Sequence, residues 1–201
     1  MNIYDLHKEF LNKKLNYSQA EQILHSFKRE KRFEVFIALY NATLKKEPKL
    51  SFKVFREAYC ASDNIYEKIK NSSFSFNLKD FLENTLNNCV NFRELSNSYE
   101  KEFYEKLENN FIIYRGVNQN EYESENFGIS WSLSIEEAKK YICFGPNKIE
   151  NGKGGILSKE IEKNDIITNF SVFENIHSEP KNEIIYINNG LKPKYEKVSK
   201  C

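Results

Sequence analysis

Glycine is missing from the first 115 residues of the chain; all seven glycines lie between Gly116 and Gly190. A segment without glycine has lost the residue that most readily takes left-handed backbone, so helices are favoured there over tight turns. Proline is as scarce in that stretch, where Pro48 stands alone. The four cysteines, Cys60, Cys89, Cys143 and Cys201, are scattered singly. With no C-x-x-C pair and no histidines at zinc-finger spacing, they argue against a disulfide framework or metal cluster and read as ordinary thiols. No apolar run approaches the ~18 residues a spanning helix needs. The first ten residues carry Asp5, His7, Lys8 and Glu9 where a signal peptide needs an apolar stretch. The expectation is a cytoplasmic protein, with no membrane partner and no metal. A dominant charge is absent too: 30 basic residues face 29 acidic ones. A net charge of +1 gives no broad cationic field, so general nucleic-acid binding is not expected.

What the chain has in quantity is rings. Sixteen Phe, twelve Tyr and one Trp make up 14% of it. Each buried aromatic removes ~150–250 Å² from water, so a sizeable core is possible although only 40% of residues are hydrophobic. In the first half Ser18 and Glu21 have capping-box spacing ahead of a long segment carrying Ile23, Leu24, Phe27, Phe36, Leu39 and Tyr40, which Pro48 is expected to end. Further helical repeats follow in Phe52, Phe55 and Tyr59, in Phe81, Leu82, Leu86 and Val90, and in Tyr99, Phe103, Tyr104 and Leu107. They predict four to six helices with a buried aromatic stripe. Near residue 110 the period shortens to two. Strands are predicted over 111–117, 128–134, 156–161, 166–170, 183–187 and 194–198, with a helix over 136–143 capped by Ser134 and Glu137. The fold class is α+β, with a helical subdomain over 1–108 and a β-rich part over 109–201. The loop NGKGG at 151–155 lacks the G-K-[ST] ending of a phosphate-binding loop and reads as a connection.

Three strands carry polar groups of chemical interest. The chain writes its cations as lysine 25 times and as arginine five times, and Arg115 is the only arginine after residue 93. A planar guanidinium suits two-bond recognition of phosphate or carboxylate, and Gly116 beside it lets a ligand approach the backbone closely; a surface ion pair is the plainer alternative. In G-I-S-W-S-L-S, Ile129, Trp131 and Leu133 alternate with Ser130, Ser132 and Ser134, leaving a row of hydroxyls that is either solvated or turned to a ligand. Glu183 shares a strand face with Ile185 and Ile187, either at an exposed strand start or where a developing positive charge can use it. His177 is the only histidine in this half, so no Ser-His-Asp triad assembles and the serines read as positioners.

The pieces IYRGV (113–117), GISWSLSIEEAKKYI (128–142) and NEIIYI (182–187) place an arginine on the first strand, a serine on the next and a glutamate on a late one. In that order they resemble the R-S-E class of mono-ADP-ribosyltransferases of bacterial and phage type, whose G-x-S-W-[ST] segment the middle piece matches, with Ala138 and Tyr141 at fixed offsets. The resemblance covers roughly residues 111–187. It implies a split antiparallel sheet that binds NAD as substrate, without metal, and transfers ADP-ribose to a macromolecular acceptor, most simply a host or partner protein. NAD hydrolysis is the side activity. Glu183 would stabilise the oxocarbenium-like ribose, Arg115 would hold the NAD phosphate or ribose, and Gly116 would contact the nicotinamide amide. Ser130 would orient Glu183 or the ribose, with Ser132 in reserve and Tyr141 on the cofactor side. Lys181 stands where arginine-modifying members carry Glu or Gln; a lysine cannot accept a guanidinium proton, so arginine modification is disfavoured. Phe173 and His177, in the loop 171–180, fall where the family recognises its acceptor. The helical half would be a lid or docking element. A second class of function stays open: a non-catalytic inhibitor that binds a protein through its helical half on a degenerate scaffold of this type.

Overall fold

The computed structural model describes residues 2–62, 65–88, 96, 98–125, 127–144, 154–170, 183–188, 190 and 192–198. The chain divides into two compact units, Met1–Leu95 and Ser96–Cys201.

The first unit is helical. Its elements are α1 (Ile3–Phe10), α2 (Tyr17–His25), α3 (Arg32–Ala42), α4 (Pro48–Cys60), α5 (Ile65–Lys70) and α6 (Leu78–Asn88), with single 3₁₀ turns at Arg29–Lys31 and Leu44–Lys46. The segment expected to run unbroken to Pro48 is two helices. Pro48 opens α4 at its first position, where the missing N–H costs nothing and the fixed φ suits a helix. The start of α2 also differs from expectation. Asn16, not Ser18, is the N-cap: its side chain accepts from the Gln19 N–H at 2.9 Å, and the Gln19 side chain accepts from the Asn16 N–H at 3.0 Å. Asn caps as well as Ser does, and this choice leaves Ala20 and Leu24 buried on one face.

Helix α3 lies at the centre of this unit. Phe33, Val35, Phe36, Ile37, Ala38, Leu39 and Ala42 are all buried, so it is apolar nearly all round. Around it the aromatic stripe interlocks edge to face: Phe36 meets Phe81 at 5.5 Å and Phe55 at 5.6 Å, while Tyr40 meets Phe81 at 5.2 Å between ring centres. These rings are core. Val90, at the end of the last helical repeat, lies outside the described residues.

The second unit holds α7 (Ser98–Lys106), β1 (Asn110–Asn118), α8 (Gln119–Ser124), β2 (Ser130–Ser132), α9 (Ile135–Phe144), β3 (Gly154–Glu162), β4 (Thr168–Phe170), β5 (Glu183–Ile185) and β6 (Lys194–Lys197). Among the described residues the strands form one antiparallel sheet in the order β4-β5-β2-β1-β3-β6. Its two halves are joined thinly. β1 pairs with β3 along nine residues, but with β2 only at Tyr114 opposite Ser132. One face buries Ile113, Val117, Trp131, Leu157, Ile161, Ile184 and Tyr186; the other packs Ile156 and Tyr114 against Ala138 and Ile142 of α9. The boundary drawn at 108/109 from composition falls inside this unit, because α7 belongs to the sheet. Phe103 and Leu107 pack on the Trp131 core, and the Tyr104 hydroxyl donates to the Lys163 carbonyl at 3.2 Å.

Candidate functional site

The register of β2 against β5 sets the centre of the site. Tyr186 N–H donates to the Ile129 carbonyl at 2.9 Å. Hydrogen-bonded and non-bonded pairs alternate along an antiparallel ladder. Trp131 and Ile184 therefore exchange bonds, whereas Ser130–Ile185 and Ser132–Glu183 are the closer, non-bonded pairs. In such a pair the Cβ atoms lie ~4.5–5.5 Å apart and the side chains share a face. Ser132 is thus the cross-strand neighbour of Glu183, and Ser130, the serine first expected to orient that carboxylate, faces the fully buried Ile185. The Ser132 hydroxyl accepts the Ser134 N–H at 3.0 Å, and its own proton is still there to donate. Tyr114 stands next along the same line, so two strand spacings of ~4.8 Å put β5 about 10 Å from β1.

The same alternation explains Arg115. With Tyr114 on the Ser132 side, Arg115 leaves β1 on the opposite face, between the buried Ile113 and Val117. It does not share a face with the serines and Glu183, as the sequence pattern suggested. Its fork instead turns to the edge where β1 and β2 part. The Ser130 carbonyl, unpaired toward β5 by the alternation, points toward β1 and accepts from Arg115 Nη1 at 2.5 Å. Arg115 Nε donates to Glu121 Oε1 at 2.8 Å, with both side chains largely buried, 16% and 13% exposed. The guanidinium packs against Gly128, where any Cβ would collide with Nη2. The plain alternative for this arginine, an ion pair, is present, but it is an enclosed one.

Gly116 permits a close approach, and what approaches is helix α9: a Cβ there would meet the Ala138 carbonyl oxygen at 2.5 Å and the Ile142 side chain. Its N–H and C=O, two residues on from Tyr114, turn toward the same β1/β2 opening. Tyr141 sits one residue before Ile142 and is 49% exposed, on the outer side of α9 while Ala138 and Ile142 face the sheet. Ser134 caps that helix, accepting the Glu137 N–H at 3.3 Å and donating to the Glu136 carboxylate at 3.0 Å; the backbone N–H of Glu136 first, and this hydroxyl second, hold the Glu136 carboxyl below its usual range. Lys181, Phe173 and His177 lie outside the described residues.

Glu121 escaped the sequence reading, and Gly128 entered it only as the first residue of the G-x-S-W segment, not as a neighbour of Arg115. Glu121 follows Arg115 by six positions and Gly128 by thirteen, separations with no meaning in strand or helix periodicity. The available signal was Asn118: its side chain accepts the Glu121 N–H at 2.8 Å, an N-cap at the end of β1 that turns Glu121 back toward Arg115. Among the described residues no group of three or more His, Cys, Asp or Glu side chains could hold a metal ion, and no helix is long and apolar enough to cross a membrane. No family model, curated protein or solved structure matches the chain.

Proposed function

We propose that the chain is a mono-ADP-ribosyltransferase that cleaves NAD and passes ADP-ribose to a macromolecular acceptor, most simply a protein. The observation that carries this reading is adjacency. The strands bearing the arginine, the serines and the glutamate are separated by up to 68 positions in sequence, yet β1, β2 and β5 are consecutive neighbours in the sheet. In the reaction the bond between ribose and nicotinamide nitrogen breaks, nicotinamide leaves, and the ribose carbon bonds to the acceptor nucleophile, which gives up its proton. The carbon passes through oxocarbenium character, which a fixed carboxylate stabilises as in glycosidases. Glu183 supplies that charge and accepts from a ribose hydroxyl. Ser132, opposite it, orients the carboxylate, and Ser130 and the Gly116 backbone border the β1/β2 opening.

The test is nicotinamide release from NAD by the purified chain. Glu183→Gln keeps the shape and removes the charge, and is expected to lower turnover by about 10²–10³-fold, the usual worth of one preorganised electrostatic group. Turnover at the unmutated rate would exclude the assigned role. The enclosure of Arg115 by Glu121, Ser130 and Gly128 favours a second reading, in which the sheet is a degenerate scaffold and the helical unit binds a protein partner without chemistry. Absence of nicotinamide release with NAD alone and with cell lysate as acceptor source would support it.

A further inference from the structure

We propose that Glu121 is a positioning residue, whose carboxylate holds the Arg115 fork on the Ser130 carbonyl and so fixes where β2 presents Ser132 to Glu183. Its catalytic consequence rests on the reading above; its structural half stands alone.

One carboxylate oxygen does the joining. Glu121 Oε1 accepts from Arg115 Nε at 2.8 Å and from the Gly128 N–H at 2.9 Å, so it ties β1 to the segment that leads into β2. The strand being placed has little else to set it on that side, since β2 is three residues long and meets β1 at one bridge. Beyond the bridge, where the next rung of a regular ladder would fall, the contact between the strands is Arg115 Nη1 on the Ser130 carbonyl. Glu121 is itself anchored. Asn118 accepts its backbone N–H, and its neighbour Tyr122 stacks on Tyr195 of β6 with ring centres 4.0 Å apart. Lys192 adds a bond to Glu125 at 2.6 Å, one residue past α8. A surface ion pair would be screened and loosely held; this one is enclosed and shares its acceptor with the backbone. The fork therefore acts as a clasp across the thin seam of the sheet.

The experiment uses the full chain and three variants, Glu121→Ala, Glu121→Gln and Arg115→Lys. It reads NAD kinetics by nicotinamide release, and amide hydrogen–deuterium exchange over 128–132. Glu121→Ala is expected to lower kcat by about 10²-fold with KM for NAD unchanged, the pattern of lost alignment rather than lost substrate binding. Exchange over 130–132 should rise at least about tenfold, which a local loss of ~1.4 kcal/mol produces. Glu121→Gln, whose amide oxygen can accept from both donors, should recover most of both quantities. Arg115→Lys, which keeps the charge and loses the fork, should show the same faster exchange, and it supplies that arm should Glu121→Ala not fold. Unmutated kcat and exchange in Glu121→Ala would overturn the proposal, as would a raised KM at constant kcat or a Gln variant as impaired as Ala. If the unmutated chain releases no nicotinamide, the functional reading fails, and the exchange measurements alone uphold or overturn the clasp.

Discussion

Replacing Gly128 by alanine tests the clasp without touching a charged or hydrogen-bonding side chain. The backbone at 128 is outside the left-handed region, so alanine meets no conformational strain there and its cost is one of contact. The new Cβ would lie 2.8 Å from Arg115 Cζ and closer still to Nη2. The fork must then move, and with it go the bonds from Nη1 to the Ser130 carbonyl and from Nε to Glu121. Hydrogen bonds to a charged group are worth about 1.5–3 kcal/mol each, and breaking an enclosed pair about 3–5. Set against these are water reaching the displaced fork and the ~0.4–1 kcal/mol that Gly→Ala recovers from the unfolded chain. The expected net loss is about 2–4 kcal/mol. Urea denaturation followed by tryptophan fluorescence measures it selectively, since Trp131 is the only tryptophan, is 1% exposed, and belongs to the sheet unit. The decisive comparison repeats the change in an Arg115→Met background, where no fork remains to be displaced and alanine should cost less than about 1 kcal/mol. Equal losses in both backgrounds, or a change below about 0.5 kcal/mol in the unmutated protein, would refute the reasoning.

The two serines of β2 should separate kinetically: Ser132→Ala, across from Glu183, is expected to reduce nicotinamide release about tenfold or more, and Ser130→Ala, across from Ile185, much less; the reverse order would contradict the register argument. Tyr195 has its phenol pushed above the ordinary value of 10.0 by burial and by the neighbouring Tyr122. The folded sheet unit thus holds that proton more tightly than the unfolded chain, so this contribution to stability is complete below about pH 10 and is lost as pH rises beyond it. Tyr195→Phe should flatten the alkaline decline seen by Trp131 fluorescence. It should also gain up to about 1 kcal/mol at neutral pH, because the hydroxyl it removes is buried with no hydrogen-bond partner among the described residues; a variant with the same alkaline decline would count against this account.

Much of the fold was legible because hydrophobic period and glycine placement report local structure directly. The glycine-free half is helical as far as α7; the runs around Ile113 and Trp131 are strands with alternate residues buried, and those around Leu157 and Ile184 are strands buried at consecutive residues, on both faces. Where local signals were equivocal the reading slipped. Pro48 is as natural at a helix start as after a helix end, and Asn16 competed with Ser18 for the same cap. The six residues of α8 are too few for a period to register. The candidate site was legible as a set of residue types and not as an arrangement. Which serine opposes Glu183, and which face Arg115 leaves from, depend on strand register, a relation between distant segments that parity within one strand cannot supply. Gly116 was read as room for a ligand to approach the backbone, whereas the neighbour packed there is helix α9, and nothing local distinguishes the two.

The attachment of α7 to the sheet decides where the chain can be cut. A fragment beginning at residue 109 would strip away Phe103, Tyr104 and Leu107, uncover the apolar surface they shield, and take from the Lys163 ammonium the Glu105 and Leu107 carbonyls that receive it at 3.1 and 3.2 Å. One beginning at Ser96 keeps that cover intact, so expression of the sheet unit by itself should succeed from the earlier start and yield aggregate from the later one.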